Sequence, residues 1–269
     1  MATRGAVPSQ LALSGAVVVV TGASGQLGAA YTEWLMKSGA RVVGIDSQSA
    51  RVGTNASSYL HAVADIRDRD QLEHVLAECE SRWGTPTGLI NNAAIDAPPR
   101  ASGESVGPFE TFPIAIFRDV LDVNVMGTVV PCQVFGGAMA RAGRGAIVNV
   151  SSIYGLVAPD QRLYEYRRRS GESFFKPAAY AVSKSAILNL TRYLSTYWAE
   201  RGVRVNTLTP AGVWNDQPPE FLDAYIPKVP LGRMATPSDF FGALEFLLTE
   251  KSAYVTGTNL IVDGGYTAW

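Results

Sequence analysis

Residues Ala16–Gly28 read AVVVVTGASGQLG, and the fold turns on this stretch. A continuous β-branched run without polar alternation fits a strand buried on both faces of a parallel sheet. The segment after it, Thr21–Gly28, carries glycines at 22, 25 and 28. They permit a tight turn and let backbone N–H groups approach a pyrophosphate at the positive end of a following helix. Gly22, Ser24, Gly25, Gln26, Leu27 and Gly28 are therefore expected to touch a dinucleotide, although a glycine-rich heptad alone also fits an ordinary strand-to-helix turn. The next strand, Arg41–Ile45, runs into Asp46, where a dinucleotide site needs a carboxylate for the adenosine ribose hydroxyls. That acid repels a 2′-phosphate and Ser47 supplies no cation to offset it, so NAD is the expected cofactor in preference to NADP.

Outward from this unit the same alternation continues. Helical patterns cover Leu27–Ser38, Asp68–Arg82, Ile114–Gly137, Ala179–Glu200 and Pro237–Leu248. Strand-like runs cover Thr87–Ile90, Ala146–Val150, Val203–Leu208 and Asn259–Val262. This β–α repetition without a break in composition predicts one doubly wound α/β domain over residues 1–269, a mainly parallel sheet with helices on both faces. Two more short signals fall where a dinucleotide would lie: Asp65-Ile66, placed to meet the adenine, and Asn92, Ala93 and Ala94 after the Thr87–Ile90 strand.

Composition narrows the class of function. Of 269 residues, 47% are hydrophobic and 17% charged, enough apolar material for a core and no case for disorder. The 23 basic and 24 acidic side chains leave a formal charge of −1, which argues against nucleic acid or an anionic membrane surface as partner. Cys79 and Cys132 show no metal-ligand or disulfide spacing and read as buried small hydrophobes in a reducing compartment. The first residues, MATRGAVPSQLALSG, lack the apolar core of a signal peptide, and no run reaches the length of a membrane span. A cytoplasmic protein binding a small-molecule substrate is the expectation. His61 and His74 are isolated, so no metal site is expected.

Chemistry concentrates downstream. Tyr180 and Lys184 stand four apart in a helical pattern and so share one face. A nearby ammonium stabilises a phenolate and makes tyrosine a usable base. Ser151-Ser152 ends the Ala146–Val150 strand, and ligands of doubly wound folds sit at such carboxyl ends. The ordered set TGASGQLG, Asp65, NNAA, LDVNV, IVNVSS, YAVSK, RVNTLTPAGV and YVTGTNLIVDGG, from about Leu13 to Gly265, resembles the short-chain dehydrogenase/reductase family. The resemblance implies a single-domain Rossmann fold, a nicotinamide cofactor and a Ser-Tyr-Lys-Asn catalytic group. By position, Tyr180 would be the acid/base, Lys184 would lower its pKa and hold the nicotinamide ribose, and Ser152 would bond the substrate oxygen. Asn124 would support a proton-relay water, while Pro210, Ala211 and Val213 would lie against the nicotinamide. Members are usually homotetramers or homodimers built on the two long helices, here around 114–137 and 179–200.

Two departures stand out. Gln26 occupies a position where the single-domain branch usually has glycine. Ser152 and Tyr180 are 28 residues apart, about twice that branch's usual spacing. The extra residues, roughly 159–177, are either a solvated surface excursion or a substrate lid. A second polar segment, about 213–232, suits a lid closing over substrate and cofactor. Tyr154, Arg162, Tyr164, Arg167, Trp214 and Asn215, with Phe221 and Tyr225, are the substrate-side candidates, and an arginine fork would suit a sugar acid. Trp269 at the C-terminus is expected at a subunit contact or against a neighbour's active site. The leading reading is an NAD-dependent dehydrogenase of a sugar, sugar acid or polyol. Alternatives are a reductase of a hydrophobic cyclic or steroid-like ketone, a nucleotide-sugar epimerase or dehydratase, and a non-enzymatic NAD sensor.

Overall fold

The structure, a computed structural model, describes residues 12–50, 57–97 and 99–269; most of the N-terminal stretch read above for a signal peptide lies outside them. Its strands are β1 (Val17–Thr21), β2 (Arg41–Asp46), β3 (Tyr59–Val63), β4 (Gly88–Asn91), β5 (Gly145–Val150), β6 (Val203–Pro210) and β7 (Asn259–Val262). They form one sheet in the order β3-β2-β1-β4-β5-β6-β7 with every pair parallel. All five residues of β1 are buried, and its pleat divides them. Val17 and Val19 join one core while Val18 and Val20 join the other, as period-2 side chains in a sheet covered on both faces must. The strand order reverses between β1 and β4, and this switch point opens a crevice at their carboxyl ends.

The helices are α1 (Gln26–Lys37), α2 (Arg69–Trp83), α3 (Ile114–Ala142), α4 (Glu165–Arg169), α5 (Ala178–Trp198), α6 (Pro219–Tyr225) and α7 (Phe241–Leu248). One core holds Leu72 and Leu76 of α2, Phe135 and Met139 of α3 and Trp198 of α5. The other holds Tyr31 and Leu35 of α1 with Leu244 and Leu247 of α7. Helix α3 overturns the expectation about membrane length: it is long and apolar enough to cross a bilayer, with mean hydropathy 1.3. Yet 67% of that window is buried in the fold, so its apolar surface is already spent on the core. Two π-helical segments, Asp122–Met126 and Cys132–Gly136, flank Pro131 within it, relieving the clash a proline ring makes with the preceding turn.

Two elements departed from expectation. β3 was missed because an edge strand pairs on one side only and tolerates polar residues. His61 in its middle bonds Tyr59 and the Gln48 carbonyl instead of breaking the strand. The 159–177 segment is not a solvated excursion. Leu163, Tyr164 and Phe174 are buried, α4 lies within it, and it builds a third core with Tyr154, Phe221, Tyr225 and Tyr266. Aromatic rings run through this core from Phe174 to Tyr164 (4.8 Å between centroids), Phe221 (5.6 Å), Tyr225 (5.3 Å) and Tyr266 (5.1 Å). The residues after Pro210 also form a packed helix, α6, with Phe221 and Tyr225 facing inward.

Candidate active site

The crevice holds a cavity of about 700 Å³ at the carboxyl ends of β1, β4, β5 and β6. At one end the β1–α1 turn supplies Gly22, Gly25, Gln26 and Leu27. Gly22 has φ +68°, and a Cβ there would stand 2.8 Å from Ala93 Cα; a Cβ on Gly28 would stand 2.0 Å from Gly22 O. The turn can close on α1 and on Ala93 only without side chains at those two positions. Gly28 therefore shapes the cavity from beneath and does not line it. Ser24 also stands back from the lining: its N–H donates to Asp46 Oδ2 (2.9 Å) and its hydroxyl to Ser49 O (3.0 Å). The Gln48 N–H donates to Asp46 Oδ1 (3.0 Å), so the carboxylate of Asp46 is fixed at the cavity edge. Gln26, unexpected at its position, donates to Trp214 O (2.7 Å) and ties the turn to the segment after β6.

Asp65, Ile66, Asn92, Ala93 and Ala94 line the same end. Thr21 Oγ1 accepts the N–H groups of Asn92 (3.0 Å) and Ala93 (3.1 Å), which holds this small-residue turn against β1. Arg67, a lining residue that the sequence gave no reason to single out, donates to Asp65 and Asp122 and also pairs with Asp119. Its guanidinium holds the Asp65 carboxyl below the usual carboxylate range. Asp65 thus has a cationic partner from its own turn.

Tyr180 and Lys184 lie one turn apart on α5 and both face the cavity, opposite Ser152 at the end of β5. The Ser151 hydroxyl donates to Lys184 O (2.8 Å), pinning α5 to β5. Ser152 stands on the Tyr180 side of the cavity, where it lowers the phenol's pKa, and accepts the Tyr154 N–H (3.2 Å). Lys184 Nζ donates to Val150 O (2.8 Å) and lies 5.8 Å from the Tyr180 ring centroid. The expected lowering of the tyrosine pKa is corrected here. Burial pushes the phenol up, the charge of Asp96 adds to that, and only the Ser152 hydroxyl opposes it. Burial likewise brings the Lys184 ammonium down to about 8. Desolvation is the largest cause for both groups and decides both directions. Asn124 does not reach the cavity lining. It sits buried in the first π-helical segment of α3, accepting the Ile95 N–H (2.8 Å) and donating to Ile95 O and to Ser183 Oγ, one residue before Lys184.

At the other end Pro210, Ala211, Val213, Tyr154, Tyr164, Asn215, Phe221 and Tyr225 all line the cavity. Three substrate-side expectations fail. Arg162 points outward, its side chain 81% exposed, and pairs with Asp160. Arg167 is buried but faces away from the cavity, donating to Glu172, Pro99 O (2.9 Å) and Ala101 O (2.6 Å). Its long side chain finds acceptors in the chain after β4 and has none free for a ligand. Trp214 has an exposed side chain, and only its backbone is engaged, its carbonyl by Gln26 and its N–H by Ala235 O (2.8 Å). The other two arginines are taken up as well, Arg168 by the carbonyls of Phe174 and Gln161, Arg169 by Glu165. Lining residues that were missed include Asp96, Gln217 and Met234. Asp96 stands two residues after the NNAA turn, and that proximity was its available signal. Among the described residues no group of three or more His, Cys, Asp or Glu could hold a metal.

A family model described as Enoyl-(Acyl carrier protein) reductase matches residues 22–267. The chain belongs to the short-chain dehydrogenase/reductase family. As a member, it is an oxidoreductase acting on CH–OH groups, interconverting an alcohol and a carbonyl. Among relatives of this short-chain dehydrogenase/reductase, the galactitol 2-dehydrogenase (L-tagatose-forming) of Cereibacter sphaeroides is 33% identical over 96% of this chain and 97% of that protein. A short chain dehydrogenase from Leptospira borgpetersenii, solved with bound NAD+, superposes with TM-score 0.84 at 34% identity, over 95% of this chain and 94% of that one. A gluconate 5-dehydrogenase from Burkholderia cenocepacia, solved with NADP and tartrate, gives TM-score 0.82 at 26% identity, over 97% and 98%. The seven-stranded parallel sheet of this enzyme is the Rossmann arrangement those structures share.

Proposed function

We propose that this short-chain dehydrogenase/reductase oxidises a secondary hydroxyl of a neutral polyhydroxylated substrate, a polyol or sugar, with NAD. The observation that carries the reading is the single cavity in which Ser152, Tyr180 and Lys184 converge beside the glycine turn and Asp46. NAD is favoured over NADP because the Asp46 carboxylate is held by two backbone N–H groups where a 2′-phosphate would sit. Arg67, the nearby cation, is already occupied by Asp65, Asp119 and Asp122. When bound, the nicotinamide ring supplies the hydride acceptor. Gly22, Gly25, Gln26, Leu27, Asp46, Asp65, Ile66, Asn92, Ala93 and Ala94 hold the dinucleotide, with Pro210, Ala211 and Val213 against its nicotinamide half.

In this mechanism Tyr180 Oη takes the substrate hydroxyl proton, and Ser152 Oγ donates to the same oxygen as it becomes a carbonyl. Lys184, together with the positive charge of a bound oxidised nicotinamide, would offset the burial that raises the Tyr180 phenol, and Lys184 carries the proton onward, with Asn124 positioning that end of α5 through Ser183. Neutral substrates are favoured because no arginine of the 159–177 segment is free for a carboxylate. The described residues act as one domain, with 159–177 an insertion between Ser152 and Tyr180 and 213–232 a lid. The enzyme works as a homodimer or homotetramer in the cytoplasm; the exposed Val182, Tyr193 and Tyr197 on α5 suit a face for a second copy. Trp269, 80% exposed in the single chain, suits another such contact.

The aromatic wall of Tyr154, Tyr164, Phe221 and Tyr225 supports a second reading, a hydrophobic cyclic alcohol as substrate. Following NADH formation, and NADPH formation in parallel, across alditols, sugar acids and cyclic alcohols decides between them. On the best substrate, Tyr180→Phe should cut kcat by about 1,000-fold or more with the fold intact. Turnover equal to wild type would remove Tyr180 from the chemistry, and a cyclic alcohol outpacing every alditol would replace the polyol reading.

A further inference from the structure

The mechanism above leaves one buried cation and one acid of the cavity unused. Lys176 lies at the end of the 159–177 segment, four residues before Tyr180, with its side chain only 3% exposed. An ammonium has three protons, and all three are engaged: Nζ donates to Asp96 Oδ1 (2.7 Å), Asp96 Oδ2 (2.6 Å) and Ala97 O (2.6 Å). The backbone behind it is equally fixed. Gln161 Nε2 donates to Lys176 O and the Lys176 N–H to Gln161 Oε1, both at 2.9 Å. Nζ stands 5.2 Å from the Tyr180 ring centroid and 5.9 Å from that of Tyr154, so the pair sits beside the proposed base.

The two partners are not equivalent. Lys176 has no proton left for a ligand, whereas the Asp96 side chain remains 35% exposed and lines the cavity. Each carboxylate oxygen can accept more than one hydrogen bond. What the pair offers a substrate is therefore an acceptor of fixed position, and its natural complement is an O–H donor.

We infer that Asp96, held in place by Lys176, reads a hydroxyl of the substrate one or two carbons from the carbon being oxidised and so sets the preference for polyols. The inference rests on the polyol reading above and deepens it. Lys176 acts as a positioning residue through Asp96. This also assigns a task to the 159–177 segment: it delivers a lysine beneath the acid that follows the NNAA turn. A pocket whose polar group must be paired by substrate rejects analogues lacking that hydroxyl far more strongly than an apolar pocket rejects a missing methylene.

The test measures kcat/KM for an alditol, for its deoxy analogue lacking one hydroxyl beside the oxidised carbon, and for a monohydroxy secondary alcohol. The wild type should prefer the alditol over its deoxy analogue by about 30-fold or more. Asp96→Asn should shrink that ratio at least about 10-fold, chiefly by raising KM for the alditol. Lys176→Met should move the ratio the same way, and the double variant no further than the larger single change, because the two act as one unit. Melting temperature and NAD affinity check that each variant is folded. Should Asp96→Asn not fold, Asp96→Glu keeps the charge and shifts the acceptor by one methylene, and it too should alter the ratio. A folded variant, Asn or Glu, with the wild-type ratio overturns the inference while the polyol reading stands. A wild type that turns over the monohydroxy alcohol as well as the alditol overturns both.

Discussion

At the dinucleotide end of the cavity, shape comes from backbone drawn close: a Cβ on Gly28 would stand 2.0 Å from Gly22 O, and Asn92 and Ala93 donate to Thr21. At the substrate end, shape comes from long side chains that cross between segments. Lys176 reaches Asp96, Arg167 reaches Pro99 and Ala101, Lys228 reaches Asp160, and Tyr225 accepts the Gly212 N–H. The first end leaves room for no substitution where chains touch. The second end can be remodelled one pair at a time. One scaffold can thus keep its cofactor while changing what it oxidises, because the two tasks are held by different kinds of contact.

The largest effect that would break this contrast is expected at Gly28. Gly28→Val must push either Gly22 or the start of α1 aside, and overpacking of this kind costs about 1–3 kcal/mol. Because the displaced atoms form the cradle, NAD affinity measured by calorimetry should fall about 100-fold. A variant that binds NAD as tightly as the wild type would show that the turn has slack, and the contrast would fail.

Arg167 gives the next effect and sharpens the other side. It is buried, stacks 4.4 Å from the Phe174 centroid, and satisfies two carbonyls and Glu172. Arg167→Met strands those acceptors and should cost about 2 kcal/mol or more in denaturant unfolding. Arg162→Ala, by contrast, removes an exposed pair and should leave the denaturant midpoint close to that of the wild type, with kcat/KM within about twofold. Were Arg162→Ala to lower kcat/KM more than Arg167→Met, the expected arginine fork would be restored and the neutral-substrate reading lost.

What could be read from the chain follows the same division. β1, the glycine turn, Asp46, Ser152, Tyr180 and Lys184 were legible because each is specified by neighbours within a few residues: a β-branched run, a required positive φ, a helical spacing of four. The roles of Arg162 and Arg167 were not legible, because an arginine in a polar run looks alike whether it faces solvent, a ligand or a buried carbonyl 66 residues away. Asp96 and Lys176 are 80 residues apart, and neither is unusual until the fold brings them together. β3 was lost for a local reason: a histidine that bonds sideways to Tyr59 imitates a break. The rise in the Tyr180 pKa was missed because spacing reports that a lysine is near and says nothing of how dry the site is.

The smallest predicted effect concerns how the two substrate-side segments hold each other. Asp160 caps the turn Gln161–Tyr164 by accepting the Arg162 N–H (3.0 Å), pairs with the Arg162 side chain (2.9 Å), and receives Lys228 Nζ (2.7 Å) from the segment after α6. The Arg162 side chain first, and Lys228 with it, hold the Asp160 carboxyl well below the usual carboxylate range. A carboxyl depressed in the folded state adds stability that is present above its unfolded pKa of about 4 and is lost as pH falls below it. Because Arg162 is exposed, the contribution is below about 1 kcal/mol, or a melting shift of about 2 °C for a chain of this size. Asp160→Asn should therefore melt about 2 °C lower than the wild type at pH 7, and the gap should begin to narrow as pH falls through about 4 and close only as the depressed Asp160 carboxyl itself protonates. Differential scanning fluorimetry across that range reads it. A gap that persists unchanged once the Asp160 carboxyl has protonated would assign the stabilisation to the turn cap alone, which an asparagine also supplies less well, and would leave the Lys228 bridge without a part in holding the lid.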